Sequence, residues 1–568
     1  MTTENTNEAN QPELPHTSPA GRARKAALTA MHRVASTPTT AVAYRSGGVA
    51  VIIGPAARAI AAARALQTRL DCTVVIHQTG KKQQRAQADD TPFPVLHEKV
   101  LQVSGHLGQF AVVVSAPAPQ GGINLAQKLK QTRTHFDLVL DLTDPPFIRH
   151  GLPPFGYYAP GGDDHALEQA LAELPAMVGE FEKPRFFKYN SDICAHGESG
   201  LTGCTRCIDA CPAGAIISIR DEVAVDPYLC QGAGLCATVC PTGAMTYVYP
   251  SLTDQLARVA TLLQTYRKKD GEHPIVLLHD AESGRERLAG LATRLPENVL
   301  PVELAELGTV GMDAWLSMLA YGAERVLLLP GAMTPPSVLG AITEQLQYTG
   351  AVLNGMGYPV ASIVLLPDDD TKALAALAAD TASVSVKPAS FAGVEEKRTM
   401  LRLAIEHLHA HAPAPRSVVA LPAGAPFGEI AVNRDTCTLC MACVSVCPAS
   451  ALSDGADLPQ LNFVEANCVQ CGLCATACPE HAISLSPRFL YDSDERRKTR
   501  VLNEEAPFHC VVCGKPFATQ RMMERMTQKL HGHWMYDSDD AMRRLKMCAD
   551  CRVRDVFATD PHRRGSVI

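Results

Sequence analysis

All but one of the 20 cysteines in this 568-residue chain fall in tight groups, and Cys72 alone stands apart. Clustered thiols are either a disulfide framework or metal ligands. A chain of this length with 46% apolar residues buries its own cores without staples, so metal ligation is the reading that fits. Four segments repeat one another: CTRCIDACPAGAI (204–216), CQGAGLCATVCPTGA (230–244), CTLCMACVSVCPASA (437–451) and CVQCGLCATACPEHAI (468–483). They read as two copies of a duplicated unit. Two residues between neighbouring thiolates let one tight loop wrap three corners of an iron–sulfur cubane. The Pro after the last Cys of each segment suits the first turn of a helix, where its missing N–H costs nothing.

The second pair runs CxxCxxCxxxCP twice and resembles the bacterial two-cluster ferredoxins, in which three thiolates come from one loop and the fourth ligates the other cluster. Carried over, Cys437, Cys440, Cys443 and Cys478 hold one [4Fe-4S] cluster, and Cys468, Cys471, Cys474 and Cys447 hold another. The first pair departs from this pattern twice. The loop AHGESGLTG separates Cys194 from Cys204 where the pattern has two residues. A Gly-rich insertion still lets Cys194 join Cys204, Cys207 and Cys240 around a [4Fe-4S] cluster. In CQGAGLC the second ligand position is Ala233, and a methyl group cannot bind iron. Cys211, Cys230 and Cys236 remain, and three thiolates suit a [3Fe-4S] cluster. A cubane with one open iron, an outside ligand, or loss of the cluster are the alternatives. The expected complement is three [4Fe-4S] clusters and one [3Fe-4S] cluster.

FHCVVCGKPF (508–517) and KMCADCRVRD (546–555) supply Cys510, Cys513, Cys548 and Cys551 as two CxxC pairs with 34 residues between them. Two knuckles give four soft ligands, and tetrahedral zinc is their simplest occupant. The Gly and Lys after Cys513 also suit a rubredoxin-type iron, and a further iron–sulfur cluster is the third possibility. His509, His531 and His533 read as surface histidines, and Trp534 as packed beside the knuckles. Residues 488–568 carry 16 Lys/Arg against 12 Asp/Glu, whereas the whole chain has a net charge of −7. With no reading helix or aromatic stacking run beside it, the basic excess reads as a solvated or protein-docking face, and nucleic acid is not an expected partner.

Residues 1–45 lack periodicity and read as a disordered lead-in, with no apolar core of a signal peptide. VAVIIG (49–54), ARAIAAARALQTRL (57–70) and CTVVIHQ (72–78) form a βαβ opening. FAVVVSA (110–116) and FDLVLDL (136–142) extend the strands, and 165–181 reads as a helix, giving an α/β domain over 46–185. A second α/β domain over 251–411 has strands at 274–279, 299–304, 325–330 and 361–366 and helices at 373–380 and 397–411. The expected fold is thus α+β multidomain. Two two-cluster ferredoxin domains, 186–250 and 427–490, alternate with two α/β domains; a Pro/Ala-rich linker covers 412–426, and a zinc-ribbon-like module covers 491–568. No run of about 18 apolar residues occurs, so a membrane span is not expected and a cytoplasmic setting, where thiols stay reduced, is. Gly54 after a strand lacks the rest of a dinucleotide fingerprint and reads as a structural turn, and Asp163 and Asp164 read as a helix cap.

LPVELAELGTVGMDAWLSMLAYGAERVLLLPGAM (300–333) resembles the delta-subunit family of methyl-viologen-reducing hydrogenases, which use cysteines near strand ends for a [2Fe-2S] cluster. Here 302–304 and 329–331 hold no cysteine, so the resemblance implies the fold and an association with redox partners, not a cluster. FFKYNSDICAHGESGLTGCTRCIDACPAGAI, the second ferredoxin-like pair and the closing CxxC pairs together resemble large proteobacterial 4Fe-4S binding proteins, whose genes commonly lie beside those for formate dehydrogenase. That resemblance implies a polyferredoxin accessory to a molybdenum formate dehydrogenase. The expected function is electron transfer without independent catalysis, since no nucleophile–base pair or hydrolase motif occurs. Its rival is an assembly, scaffold or redox-sensing protein for a molybdoenzyme.

Overall fold

A computed structural model describes residues 14–77, 91–116, 121–129, 134–367, 374, 384, 386–455 and 458–559. The buried run Val49–Gly54 forms the centre of a five-stranded parallel sheet, flanked by Asp71–His77 and Val95–Glu98 on one side and by Leu138–Asp141 and Tyr157–Tyr158 on the other. Helix Ala56–Leu66 makes the first crossover. A Cβ at Gly54 would lie 2.7 Å from Leu142 Cβ, so the glycine is there for close packing, as the turn reading expects. Asp163 accepts the N–H groups of His165 and Ala166 at the start of helix Asp164–Glu173. That helix ends earlier than its periodicity suggests. Residues Gly179–Pro184 are a strand, paired antiparallel with Ala41–Ser46, which lies ahead of the expected domain start.

The second α/β domain carries a parallel sheet in the order Val299–Leu304, Ile275–Asp280, Arg325–Leu329, Ile363–Leu365. Helices Leu252–Lys268, Met312–Ala320, Pro336–Met356 and Lys397–Ala410 pack around it, with Trp315, Tyr266 and Tyr348 fully buried. The helix expected over 373–380 lies outside the described residues apart from Leu374. Residues Pro19–His32, expected in the disordered lead-in, form a helix. Ser18 caps it, Pro19 starts it, and Ala23, Ala27 and Met31, four apart, lie buried in the same core as helix Leu252–Lys268. Small residues make this stripe nearly invisible to hydropathy.

Two further boundaries move. Val418–Ala420, inside the expected linker, pairs with Ile483–Leu490, and Arg500–Glu504, inside the expected C-terminal module, pairs with Gln460–Phe463. Both therefore extend the second ferredoxin domain. The C-terminal module begins at the hairpin Pro507–His509/Pro516–Thr519 and continues into helices Gln520–Leu530, Asp539–Leu545 and Ala549–Thr559. Trp534 is 80% exposed, stacked on His533 and not packed on the knuckles, because the 34 residues between the CxxC pairs form their own helical excursion. No helix among the described residues is long and apolar enough to cross a membrane.

Candidate metal centres

In the second ferredoxin domain Cys437, Cys440, Cys443 and Cys478 line one cavity, and Cys447, Cys468, Cys471 and Cys474 line another. The chain curls around each because Leu439 and Met441, and then Gln470 and Gly472, take positive φ of 54°, 61°, 54° and 86°. Three of these four pay the steric cost of a Cβ in the left-handed region, which a packed ligand loop must hold against. The sulfurs accept hydrogen bonds: Ala451 N–H to Cys447 at 3.3 Å, Ala482 N–H to Cys478 at 3.3 Å, and the Gln470 amide to Cys468 at 3.3 Å. Donors aimed at sulfur stabilise thiolate ligands and tune cluster potential.

In the first ferredoxin domain Cys194, Cys204, Cys207 and Cys240 line a third cavity. The insertion between Cys194 and Cys204 is a hairpin, Gly197–Glu198 against Leu201–Thr202, with Ser199 and Gly200 both at positive φ as a two-residue turn demands. Cys204 N–H donates to Ala195 O at 2.8 Å, so the strands of the hairpin bring the two cysteines back together. Buried His196 braces the stem, bonding Cys204 O at 2.9 Å and Ser218 Oγ at 2.7 Å.

Cys211, Cys230 and Cys236 pack in one cluster with Phe187, Val225 and Ala244. Between them Gly232 and Gly234 take φ of 80° and 76°, the positions held by Gln470 and Gly472 in the other domain. Ala233 thus sits where Cys471 sits, on a loop of the same conformation. Ala215 N–H donates to Cys211 Sγ at 3.4 Å, four residues on, just as Ala451 does to Cys447.

Each ferredoxin domain also holds a buried cation at one equivalent cysteine. Arg398 donates to Cys468 O at 3.0 Å, Ala466 O at 3.3 Å and Pro426 O at 2.6 Å. Lys183 donates to Cys230 O at 2.6 Å and Tyr228 O at 2.9 Å, with its ammonium 5.0 Å from the Tyr44 ring centre. Burial pushes Arg398 down to about 10 and Lys183 down to about 8, opposed in part by the nearby cysteines. Buried cations hydrogen-bonded to carbonyls suit a site that carries negative charge when loaded. The residues at all four sites fit iron–sulfur clusters by donor type and sulfur-directed N–H groups, and two of the sites add these cations.

Burial, reinforced by neighbouring sulfurs, pushes Cys207 and Cys443 up to about 12 and Cys471 up to about 11. Iron must therefore displace protons to bind. Neighbouring sites also reach one another. After burial and closer sulfurs, Cys207 adds to the rise at Cys236, Cys204 to that at Cys471, and Cys443 to that at Cys474. The junction between domains is tight: a Cβ at Gly203 would lie 2.6 Å from Leu473 Cγ. Helix Lys397–Ala410 braces both sides, since Lys397 Nζ donates to Ala237 O and Thr238 O at 2.7 Å while Arg398 grips the other domain.

The ligand sulfurs of Cys510, Cys513, Cys548 and Cys551 all lie within 4.8 Å of one another, and those of Cys513 and Cys548 are 3.7 Å apart. A tetrahedron with metal–sulfur bonds of about 2.3 Å has edges of about 3.8 Å, so the four sulfurs fit a single metal ion. Cluster ligands, each on its own iron, stand wider. Burial opposes ionisation of Cys510, yet N–H groups of Cys513, Cys548 and Val512 bring it down to about 6, leaving one thiolate ready.

The sequence points to every cysteine in these sites. It does not point to Lys183, Lys397 or Arg398, whose partners are carbonyls 28 or more residues away. Comparison with known families finds a 4Fe-4S dicluster domain over residues 436–483 and another over 202–244. The second match begins after Cys194, within the inserted hairpin. No curated protein matches the chain.

Proposed function

We propose that this iron–sulfur electron-transfer chain is a four-cluster relay, and that three [4Fe-4S] clusters and one [3Fe-4S] cluster are its complement. The order runs from Cys211/Cys230/Cys236 through Cys194/Cys204/Cys207/Cys240 and Cys447/Cys468/Cys471/Cys474 to Cys437/Cys440/Cys443/Cys478. The carrying observation is the contact of Gly203 with Leu473, which joins two dicluster domains separated by a whole α/β domain in sequence. Bound clusters of this class exchange single electrons. The chain's own part is to exclude water, to aim N–H groups at sulfur, and to hold the two domains at fixed separation through Lys397 and Arg398. The glycine pair at 232 and 234 and the Lys183 ammonium at Cys230 O support a three-iron cluster over loss of the site.

Cys440 is exposed, so electrons enter or leave at that end, where a redox enzyme docks. The resemblance to proteins encoded beside formate dehydrogenase makes a molybdenum formate dehydrogenase the proposed partner. Zinc at Cys510/Cys513/Cys548/Cys551 holds the C-terminal module against this end, where Thr519 Oγ1 donates to Thr438 O at 3.0 Å.

An anaerobic EPR redox titration with metal analysis tests the reading. A three-iron signal in oxidised protein, reversible four-iron signals on reduction and one zinc per chain are expected. Clusters that load fully but never titrate reversibly would overturn the relay. Failure of formate plus formate dehydrogenase to reduce a titratable protein would remove that partner alone.

A further inference from the structure

A cavity of about 420 Å³ lies between the first ferredoxin domain and the second α/β domain. That volume is in the range of organic cofactor sites. Its wall is mainly apolar, with Met245, Leu252, Leu304 and Val310 among the lining residues. Into this wall are set polar atoms with no hydrogen-bond partner among the described residues: both ends of the Gln255 amide, the Tyr247 hydroxyl and Thr253 Oγ1. Gln255 is only 3% exposed and Tyr247 only 7%. A buried amide left unmade at both donor and acceptor is costly, and an apolar residue on the same helix face would serve packing better. Such a group belongs with something the chain does not supply.

The polar set also describes the missing partner. Gln255 offers N–H and C=O side by side, the complement of a ring edge that carries C=O next to N–H. Tyr247 and Thr253 each add a hydroxyl, and the buried carboxylate of Asp313 lines the same space. The buried ammonium of Lys397 is already committed to Ala237 O and Thr238 O, so recognition is of a neutral ring and not of a phosphate. Tyr189, Thr242, Ala244 and Met245 line both this cavity and that of Cys194, Cys204, Cys207 and Cys240. Ala237 and Thr238, which follow Cys236 directly, close the other side.

We propose that the cavity binds a neutral, planar heteroaromatic with adjacent C=O and N–H groups, of the class of the flavin isoalloxazine ring. Its place one residue layer from two cysteine sites gives a redox-active ring a use, a clause that rests on the relay reading; the binding itself does not.

The test is titration of the full-length, cluster-loaded protein with riboflavin, read by quenching of flavin fluorescence and by calorimetry. Riboflavin is expected to bind, and Gln255→Leu to weaken it about 10-fold. N3-methylriboflavin, which lacks the ring N–H, should bind the wild type about 10-fold more weakly and lose nothing further in the variant. Retained iron–sulfur absorption certifies the variant's fold, and Thr253→Val gives a second variant if Gln255→Leu does not load. No binding at about 0.1 mM riboflavin, which means a cavity holding water only, or equal binding of the methylated ring, would overturn the proposal. Neither result touches the EPR titration, so the two readings fail separately.

Discussion

From its first to its second cysteine the domain at 427–490 takes three residue steps, Cys437 to Cys440, and the domain at 186–250 takes ten, Cys194 to Cys204. Yet both end with four cysteines lining one cavity, because a hairpin with its own left-handed turn absorbs the excess. At the neighbouring site the contrast reverses. The backbone of 230–236 matches that of 468–474 in its two positive-φ residues, while the ligand at its centre is gone. The pair shows that the backbone path of such a loop is held without a cysteine at its centre.

The sharpest way to break this comparison is Ala233→Cys, which restores the residue found at Cys471. The three-iron EPR signal of oxidised protein is expected to vanish and iron per chain to rise by one. A signal that persists would mean that the two loops are not equivalent. Next in size is Gly234→Ala. It puts a Cβ at φ 76° and 2.5 Å from Thr309 Cα, and a loss of about 3 kcal/mol in urea unfolding is expected.

A third contrast concerns acids. Glu465 of the second ferredoxin domain pairs with Arg488 and Arg500, each at 2.7 Å. Beside the first, burial above all, then Asp280 and Glu282, raises Glu306 to about 7. Its proton is kept on folding where the unfolded chain has lost it, so this group lowers stability as pH rises from about 4.5 to about 7. Glu306→Gln should therefore stabilise by about 1–3 kcal/mol at pH 8 and by little at pH 4.5, read as thermal midpoints. The smallest effect belongs to Gly472→Ala. Its φ of 86° is strained for Ala, but a Cβ there meets nothing nearer than Leu485 at 3.8 Å, so about 1 kcal/mol is expected. Equal losses at Gly234 and Gly472 would erase the difference in how the two loops are packed.

Sequence reading reached the groups of cysteines that line each cavity because cysteine spacing is a local code, and it reached strands such as Ile275–Asp280 because an unbroken run such as IVLL is buried on both faces. It missed Pro19–His32, whose core face is mostly Ala and whose buried Arg24 is satisfied by Pro296 O and Val299 O far along the chain. Gly179–Pro184 became a strand because Ala41–Ser46 offers an edge, a fact of tertiary structure. Glycines 232, 234 and 472 announce left-handed turns; Leu439, Met441 and Gln470 do not. The cavity around Gln255 was invisible because its wall comes from segments around 190, 245, 305 and 396.

Lys397 and Arg398 are consecutive on one helix, separated by a rise of about 1.5 Å and a turn of about 100°. Each reaches the backbone of a different ferredoxin domain. Assembly of the two halves is then one problem, not two. Whichever domain packs first against the first turn of this helix also fixes in place the side chain that anchors the other. The domain that packs second therefore meets a seat whose ordering entropy has been removed, so distant cysteine groups share a single turn of helix that carries no cysteine.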